Sequence, residues 1–426
     1  MKRIVSDKVN HQNRSIYYSE TLIILAVSLS LFGGRWISYI GFPDYNLYLI
    51  DLLYYFGLLG LVLFQKKIFN AKKTFFITSL LAFFVFFQLF RNLNYSFVTR
   101  LRDLAPYIYL LTTAIIINKF PVSAWIRAIR SLRYAIILGA IWTDLVMIGL
   151  LKEFNAPQQF SGVPIFSARW DHSGISMCIG LLLWGSFPSA KLKENIYVRF
   201  FLLTSVLLQY SRASYVGLFF VLCSIFFFTM FRRKNYSHRE KRFVKVFVIF
   251  IMIGFPTLTL VAPIVPQNSA LSRIGINNFF SPATLIQETR ESGTANARIE
   301  AQKLLKDWLF SNELEILGAG PGREMVLESN AYQYLSGARD VRSPHSWFYG
   351  NFGRFGYLGL IIWHSICFLY VRVQNNRFRF FDFPVNLIIV IYVISLFGVV
   401  MESPFGILPF SFFLGGGKLM ELSNEE

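Results

Sequence analysis

Long apolar runs alternate with short polar, mostly basic segments along the whole chain, at the spacing of membrane helices. A helix that crosses a bilayer needs about 20 mainly apolar residues. Runs of this kind cover residues 20–40, 45–64, 74–90, 103–118, 134–151, 173–188, 199–210, 213–231, 246–263, 347–370, 384–401 and 404–417, which predicts twelve spans. The seventh is short and only Met401-Glu402-Ser403-Pro404 separates the last two, so eleven or thirteen also fit. One stretch breaks the pattern. From Ala262 to Pro344 there is no span, and the density of charge rises. Within it, Ile299, Leu304, Leu305, Trp308 and Leu309 recur at helical spacing while Arg298, Lys303 and Lys306 fall between them, which predicts an amphipathic surface helix from about Ala295 to Phe310. The turn-rich Gly318-Ala319-Gly320-Pro321-Gly322 follows. The expected fold is an all-α polytopic membrane protein with one large loop that contains amphipathic helices. Its expected parts are a tail (1–19), nine spans (20–262), the loop (263–345), three spans (346–417) and a second tail (418–426).

Composition strengthens this picture. Hydrophobic residues make up 54% of the chain and charged residues only 15%, whereas a soluble domain carries about a quarter charged residues. The formal charge of +18, from 42 Lys and Arg against 24 Asp and Glu, would suggest nucleic acid in a soluble protein. Here it is sorted by side of the membrane. With the N-terminus inside, 26 of the 42 basic residues fall in inside segments, and eight of the other 16 lie in the long loop, where the positive-inside rule has little force. Both termini are therefore expected in the cytoplasm and the loop outside, with lipid and not nucleic acid as the main surroundings. The N-terminus lacks a short apolar core and cleavage site and reads as a retained cytoplasmic tail. Cys178, Cys223 and Cys367 lie in apolar runs and form neither a disulfide framework nor a zinc pattern.

Ionisable groups inside spans are few. Asp51, Asp144 and His364 are expected to find partners within the bundle or to sit at its boundary. No voltage-sensor arginine series, potassium filter, Walker sequence or Asp-x-Asp pair is present. Cationic and imidazole chemistry gathers instead on the outer side. Arg212 opens the eighth span, where free helix N–H groups already favour an anion. A guanidinium fork there could clamp pyrophosphate without metal, or could snorkel to lipid phosphate. Arg298 lies in the amphipathic helix and, taken alone, reads as a solvated charge. His345 stands where the loop enters the tenth span, and of the five histidines only His172 shares the outer interface with it. A neutral imidazole suits proton removal from a sugar hydroxyl, although a structural role fits an interfacial histidine as well. The glycines from Gly350 to Gly359 read as close-packing positions. Among Arg91, Arg100, Arg102 and Asp103, Arg102 is a candidate phosphate contact, with an ion pair to Asp103 or lipid contact as the alternative. Arg169 and His172 could approach a donor sugar or simply anchor the interface.

Three of these segments coincide in order and spacing with a known family. Ser211-Arg212-Ala213-Ser214 opens a span; Arg298 and Trp308 precede Leu317-Gly-Ala-Gly-Pro-Gly322; Pro344-His345-Ser346 leads into Phe352-Gly-Arg-Phe-Gly-Tyr-Leu-Gly359. Over about 210–360 the chain resembles the O-antigen ligase superfamily, which also contains O-antigen and exopolysaccharide polymerases. Ser346 departs from the pattern, standing where relatives often carry Asn. The resemblance implies an inverting, metal-independent glycosyltransferase without a cofactor, in the bacterial inner membrane with its site facing the periplasm. The implied donor is a glycan on undecaprenyl pyrophosphate, and the acceptor is a sugar hydroxyl of lipid A–core for a ligase or of a lipid-linked repeat for a polymerase. His345 would be the base, and Arg212 and Arg298 the pyrophosphate ligands; Arg102, Arg169 and His172 are further substrate contacts. Two rivals remain: a transferase with Asp44 as acidic base, and a transporter or flippase of lipid-linked glycan.

Overall fold

The computed structural model describes residues 2–32, 41–42, 47–64, 72–147, 158–160, 163–165, 170–186, 196–208, 212–232, 293–323, 325, 346–374, 383–396, 401 and 404–416. In chain order the helices are α1 (Lys2–Phe32), α2 (Leu49–Phe64), α3 (Lys72–Leu89), α4 (Phe97–Lys119), α5 (Val122–Met147), α6 (Trp170–Ser186), α7 (Ile196–Leu208) and α8 (Arg212–Arg232). They continue as α9 (Gly293–Ser311), α10 (Trp347–Gln374), α11 (Phe383–Leu396) and α12 (Pro404–Leu414). Each expected span except 246–263, which lies outside the described residues, overlaps one of these helices in its described part, and α9 covers the expected amphipathic stretch. Two short antiparallel hairpins add to the all-α expectation: β1 (Gly41–Phe42) with β2 (Leu47–Tyr48), and β3 (Gln158–Phe160) with β4 (Val163–Ile165).

Boundaries differ from the hydropathy reading where polar residues continue a helix. α1 runs back to Lys2 through the polar tail, and α5 begins at Val122, well before its apolar run. α4 starts at Phe97 because Ser96 caps it, its hydroxyl accepting the Thr99 N–H at 3.2 Å. Among the described residues, Asn13–Phe32 and Trp347–Val373 are long and apolar enough to cross a membrane. Shorter apolar stretches of 10–17 residues lie in α2, α3, α6, α7, α8 and α11; α2, with 16 residues, is about 24 Å long.

The core is apolar and aromatic, with Trp125, Trp347, Trp363, Tyr54 and Tyr107 among its largest fully buried side chains. The exterior is apolar too. On α3 and just beyond it, Phe75, Phe76, Phe83, Phe86 and Phe90 are all more than half exposed, as are Phe200 on α7 and Phe219 on α8. α1 packs against α2 and α5. Gly57 and Gly60 of α2 and Gly139 of α5 allow that approach: a Cβ on Gly139 would lie 2.0 Å from the Phe32 carbonyl oxygen, and one on Gly60 2.1 Å from Ser19 Oγ.

Helix directions follow from the contacts. α1 and α5 run parallel, with Glu20 paired to Arg127 and Phe32 lying against Gly139. α2 and α4 also run parallel, since Asp51 meets Tyr109 and Tyr54 meets Thr112. α3 and α4 are joined by the tight turn from Phe90 to Ser96.

The three ionisable groups in apolar helices have partners. Asp51 accepts from the Tyr109 hydroxyl and, at 3.1 Å, from the Tyr48 N–H. Asp144 accepts from Ser205, and His364 contacts Tyr392 and the Leu360 carbonyl. Each is held within the bundle, as the sequence reading expects.

Candidate functional site

The long loop meets the helices at a break in α10. Gly356 has φ +62° and ψ −160°, a conformation that ends the helix and starts it again. In a continuous helix the N–H groups of Tyr357 and Leu358 would donate to the carbonyls of Gly353 and Arg354, four residues back. Here the chain from Glu315 to Gly320 takes up all four groups. Tyr357 N–H donates to Glu315 O (2.9 Å) and Leu358 N–H to Ile316 O (3.0 Å), while Gly353 O and Arg354 O accept from Ala319 and Gly320 N–H, both at 2.8 Å. Two helical hydrogen bonds are thus replaced by four to another segment. No side chain fits at Gly356, where a Cβ would sit 2.4 Å from Ile316 O in a left-handed backbone.

Side chains from the turn between α3 and α4 fasten the inserted segment. Arg91 donates to Leu317 O (2.6 Å) and Gly318 O (2.8 Å). Asn92 Nδ2 donates to Ala319 O (2.8 Å) and Pro321 O (3.2 Å). Asp103 of α4 accepts the Gly322 N–H at 2.8 Å and faces Arg354 Nε at 3.1 Å, in an ion pair almost wholly shielded from solvent. Burial lowers the Arg91 pKa from its ordinary value, yet an arginine starts so high that it remains charged at neutral pH. Tyr107 below has its hydroxyl 2.9 Å from Asn351 Oδ1 and 2.8 Å from Gly359 O.

α9 packs on α10 through buried Ala301, Leu305 and Leu309, and a Cβ on Gly353 would lie 3.1 Å from Leu305. Lys303 is exposed, as an amphipathic helix requires, and burial lowers the Lys306 pKa against the opposing pull of Asp307. Trp308 carries the Arg323 guanidinium over its ring at 5.2 Å.

The sequence-derived site residues stand as follows. Arg212 is the first residue of α8 and Arg298 lies in α9; the side chains of both are outside the described residues. His345 and Arg169 also lie outside them, as does the rival Asp44, and His172 is placed only as the third residue of α6. Arg102 is exposed on α4. Its alternative as an Asp103 partner is corrected: Asp103 turns inward to Arg354 and Gly322, because successive helix positions point about 100° apart and only one of the pair can face α10.

Backbone contacts tie some of these helix starts to their neighbours. Cys178 of α6, six residues after His172, lies against Ser214 of α8, two residues after Arg212, with its Sγ 3.7 Å from the Ser214 carbonyl oxygen. The last turns of α11 bridge the starts of α8 and α10: a Cβ on Gly217 would lie 2.5 Å from Ile394, and the Trp347 and Tyr392 rings are 6.3 Å apart. Arg212 is five residues before Gly217, and His345 two before Trp347.

Arg354, Arg91 and Asn92 are the residues that sequence reading assigned no role in this arrangement. Their only advance signal is the Gly318–Gly322 series, whose positive φ values at Gly318, Gly320 and Gly322 mark a chain shaped to lie against other backbone.

Residues 198–364 match the family model described as O-antigen ligase. The match supports the O-antigen ligase and polymerase superfamily, whose members are membrane proteins, and its range holds Arg212, Arg298, His345 and the inserted segment. No curated protein and no solved structure matches the chain.

Proposed function

Taking the O-antigen ligase-type region over residues 198–364 as its premise, we propose that this chain is a polytopic inner-membrane glycosyltransferase. It spans the bilayer about twelve times and works on the periplasmic side. It moves a glycan from undecaprenyl pyrophosphate to a sugar hydroxyl during lipopolysaccharide synthesis. The family match over the three candidate residues carries the reading. The outward-facing phenylalanines support a lipid environment, and the parallel α1–α5 and α2–α4 pairs fit an alternating path, since each pair is an even number of expected spans apart.

In the proposed step the acceptor oxygen attacks the anomeric carbon while its proton passes to the His345 imidazole. The bond from that carbon to the phosphate oxygen breaks on the opposite face, inverting the configuration, and undecaprenyl pyrophosphate leaves. Arg212 and Arg298 take up the charge that develops on the leaving group. Such stabilisation acts most strongly where water is excluded, and a helix N-terminus adds to it at Arg212. Arg102, Arg169 and His172 are proposed contacts to the donor.

The test is transfer by the purified protein from a lipid-linked glycan donor, with each acceptor offered separately. Product on lipid A–core identifies a ligase; elongated lipid-linked chains identify the polymerase of the same superfamily. Arg212→Ala is expected to lower transfer by about 10²-fold at unchanged membrane abundance. Normal transfer in that variant contradicts the assigned pyrophosphate role.

A further inference from the structure

The break in α10 is not needed to build a span. A continuous helix would satisfy the same four backbone groups without recruiting a distant segment. The chain instead buries an ion pair, Asp103 with Arg354, whose desolvation opposes its attraction. It also brings four separate stretches to one place: 91–92, 103, 315–322 and 353–358. What the arrangement does accomplish is mechanical. The outer half of α10, Trp347–Phe355, takes its direction from the inserted segment and not from the inner half. The same segment continues from α9 through Asn312–Leu314, where Leu314 N–H donates to Leu309 O at 2.9 Å. One fastening therefore fixes the end of the helix that carries Arg298 and the start of the helix that follows His345.

We propose that Arg91, Asn92, Asp103 and Arg354 are positioning residues for the transfer reaction, setting the outer half of α10 relative to α9 by holding residues 315–322 in the helix break. The inference deepens the glycosyltransferase reading and rests on it. Arg91 forks across two successive carbonyls, a hold that a lysine ammonium cannot reproduce. Asp103 serves two partners, so Asp103→Asn keeps an acceptor for the Gly322 N–H and loses only the charge facing Arg354.

The experiment uses the full chain in lipid vesicles with a lipid-linked glycan donor and a glycan acceptor, and measures turnover beside hydrogen exchange. The amides of Ala319, Gly320, Tyr357 and Leu358 report the fastening. In Arg354→Ala these four are expected to lose protection while α2 and α4 keep theirs. kcat is expected to fall about tenfold or more, because small misplacements of reacting groups are costly, with the donor KM held within about threefold. Asp103→Asn leaves the buried Arg354 charge unpaired and is expected to lower protection and kcat as well. If Arg354→Ala does not accumulate, Arg91→Lys decides, with partial loss of protection and a kcat lowered about threefold to tenfold. Open amides with wild-type kcat overturn the inference, as does a lost kcat with the amides still protected. His345→Ala run alongside separates the two readings. If the wild-type chain transfers no glycan, the proposed function fails, and if His345→Ala transfers normally, its base role fails; if the wild type is active and the open-amide variant is fully active as well, only the positioning inference fails.

Discussion

Glycine serves two opposite purposes in this molecule. Where α1 meets α2 and α5, Gly57, Gly60 and Gly139 leave their helices intact and let neighbouring backbones approach. In the N-terminal half of α10, Gly356 ends one helix and begins another, and the backbone groups it releases bind residues 315–320. The first region is a packing solution of the kind membrane helices use widely. The second opens a helix so that a loop becomes part of it. The lesson is that a glycine series alone does not distinguish a close contact from an opening; the partner segment does. Gly353 and Gly359 of the same series are close contacts, against Leu305 with Met325 and against Phe355 with Tyr107.

The contrast can be broken at several points. The largest effect is expected from Gly356→Ala, which combines a left-handed backbone with a Cβ 2.4 Å from a carbonyl oxygen. Strain of this kind costs about 1–3 kcal/mol before the clash is added. The variant should lose exchange protection at Tyr357 and Leu358 and lose transfer. A smaller effect is expected at the packing glycines, read by thermal unfolding. Gly139→Ala meets the Phe32 backbone, which cannot turn aside, and should destabilise by about 1–3 kcal/mol. Gly60→Ala meets the Ser19 side chain, whose hydroxyl can rotate away, and should fall at the lower end of that range. Turnover per folded molecule should stay near wild type in both. A selective loss of kcat in Gly139→Ala would remove the distinction between the two regions.

Much of the fold was legible in the sequence because apolar run length is a direct readout of a helix in lipid. The positions of α2, α3 and α10 through α12, and the amphipathic α9, follow from hydropathy and 3.6-residue spacing. Starts such as Val122 and Lys2 were not legible, because polar residues extend helices beyond the apolar run without changing their period. The candidate chemistry rests on residue types, and the family match over 198–364 covers Arg212, Arg298 and His345. The fastening was not. Arg91 and Asn92 bind carbonyl oxygens more than 220 positions away, and every residue offers such a carbonyl. Arg354 lies inside a series that reads as packing, and its partner Asp103 stands beside Arg102, the nearer and wrong choice.

The central claim is that glycan transfer at the outer helix ends depends on His345 as base, and it is tested most directly by transfer from purified lipid-linked glycan across a pH range. A general base contributes about 10²–10⁴-fold and works only in its unprotonated form. The account predicts wild-type turnover that falls with acidification, and in His345→Ala a turnover lowered about 10²-fold or more that no longer shows this limb. Wild-type turnover with an unchanged pH profile in His345→Ala would contradict it.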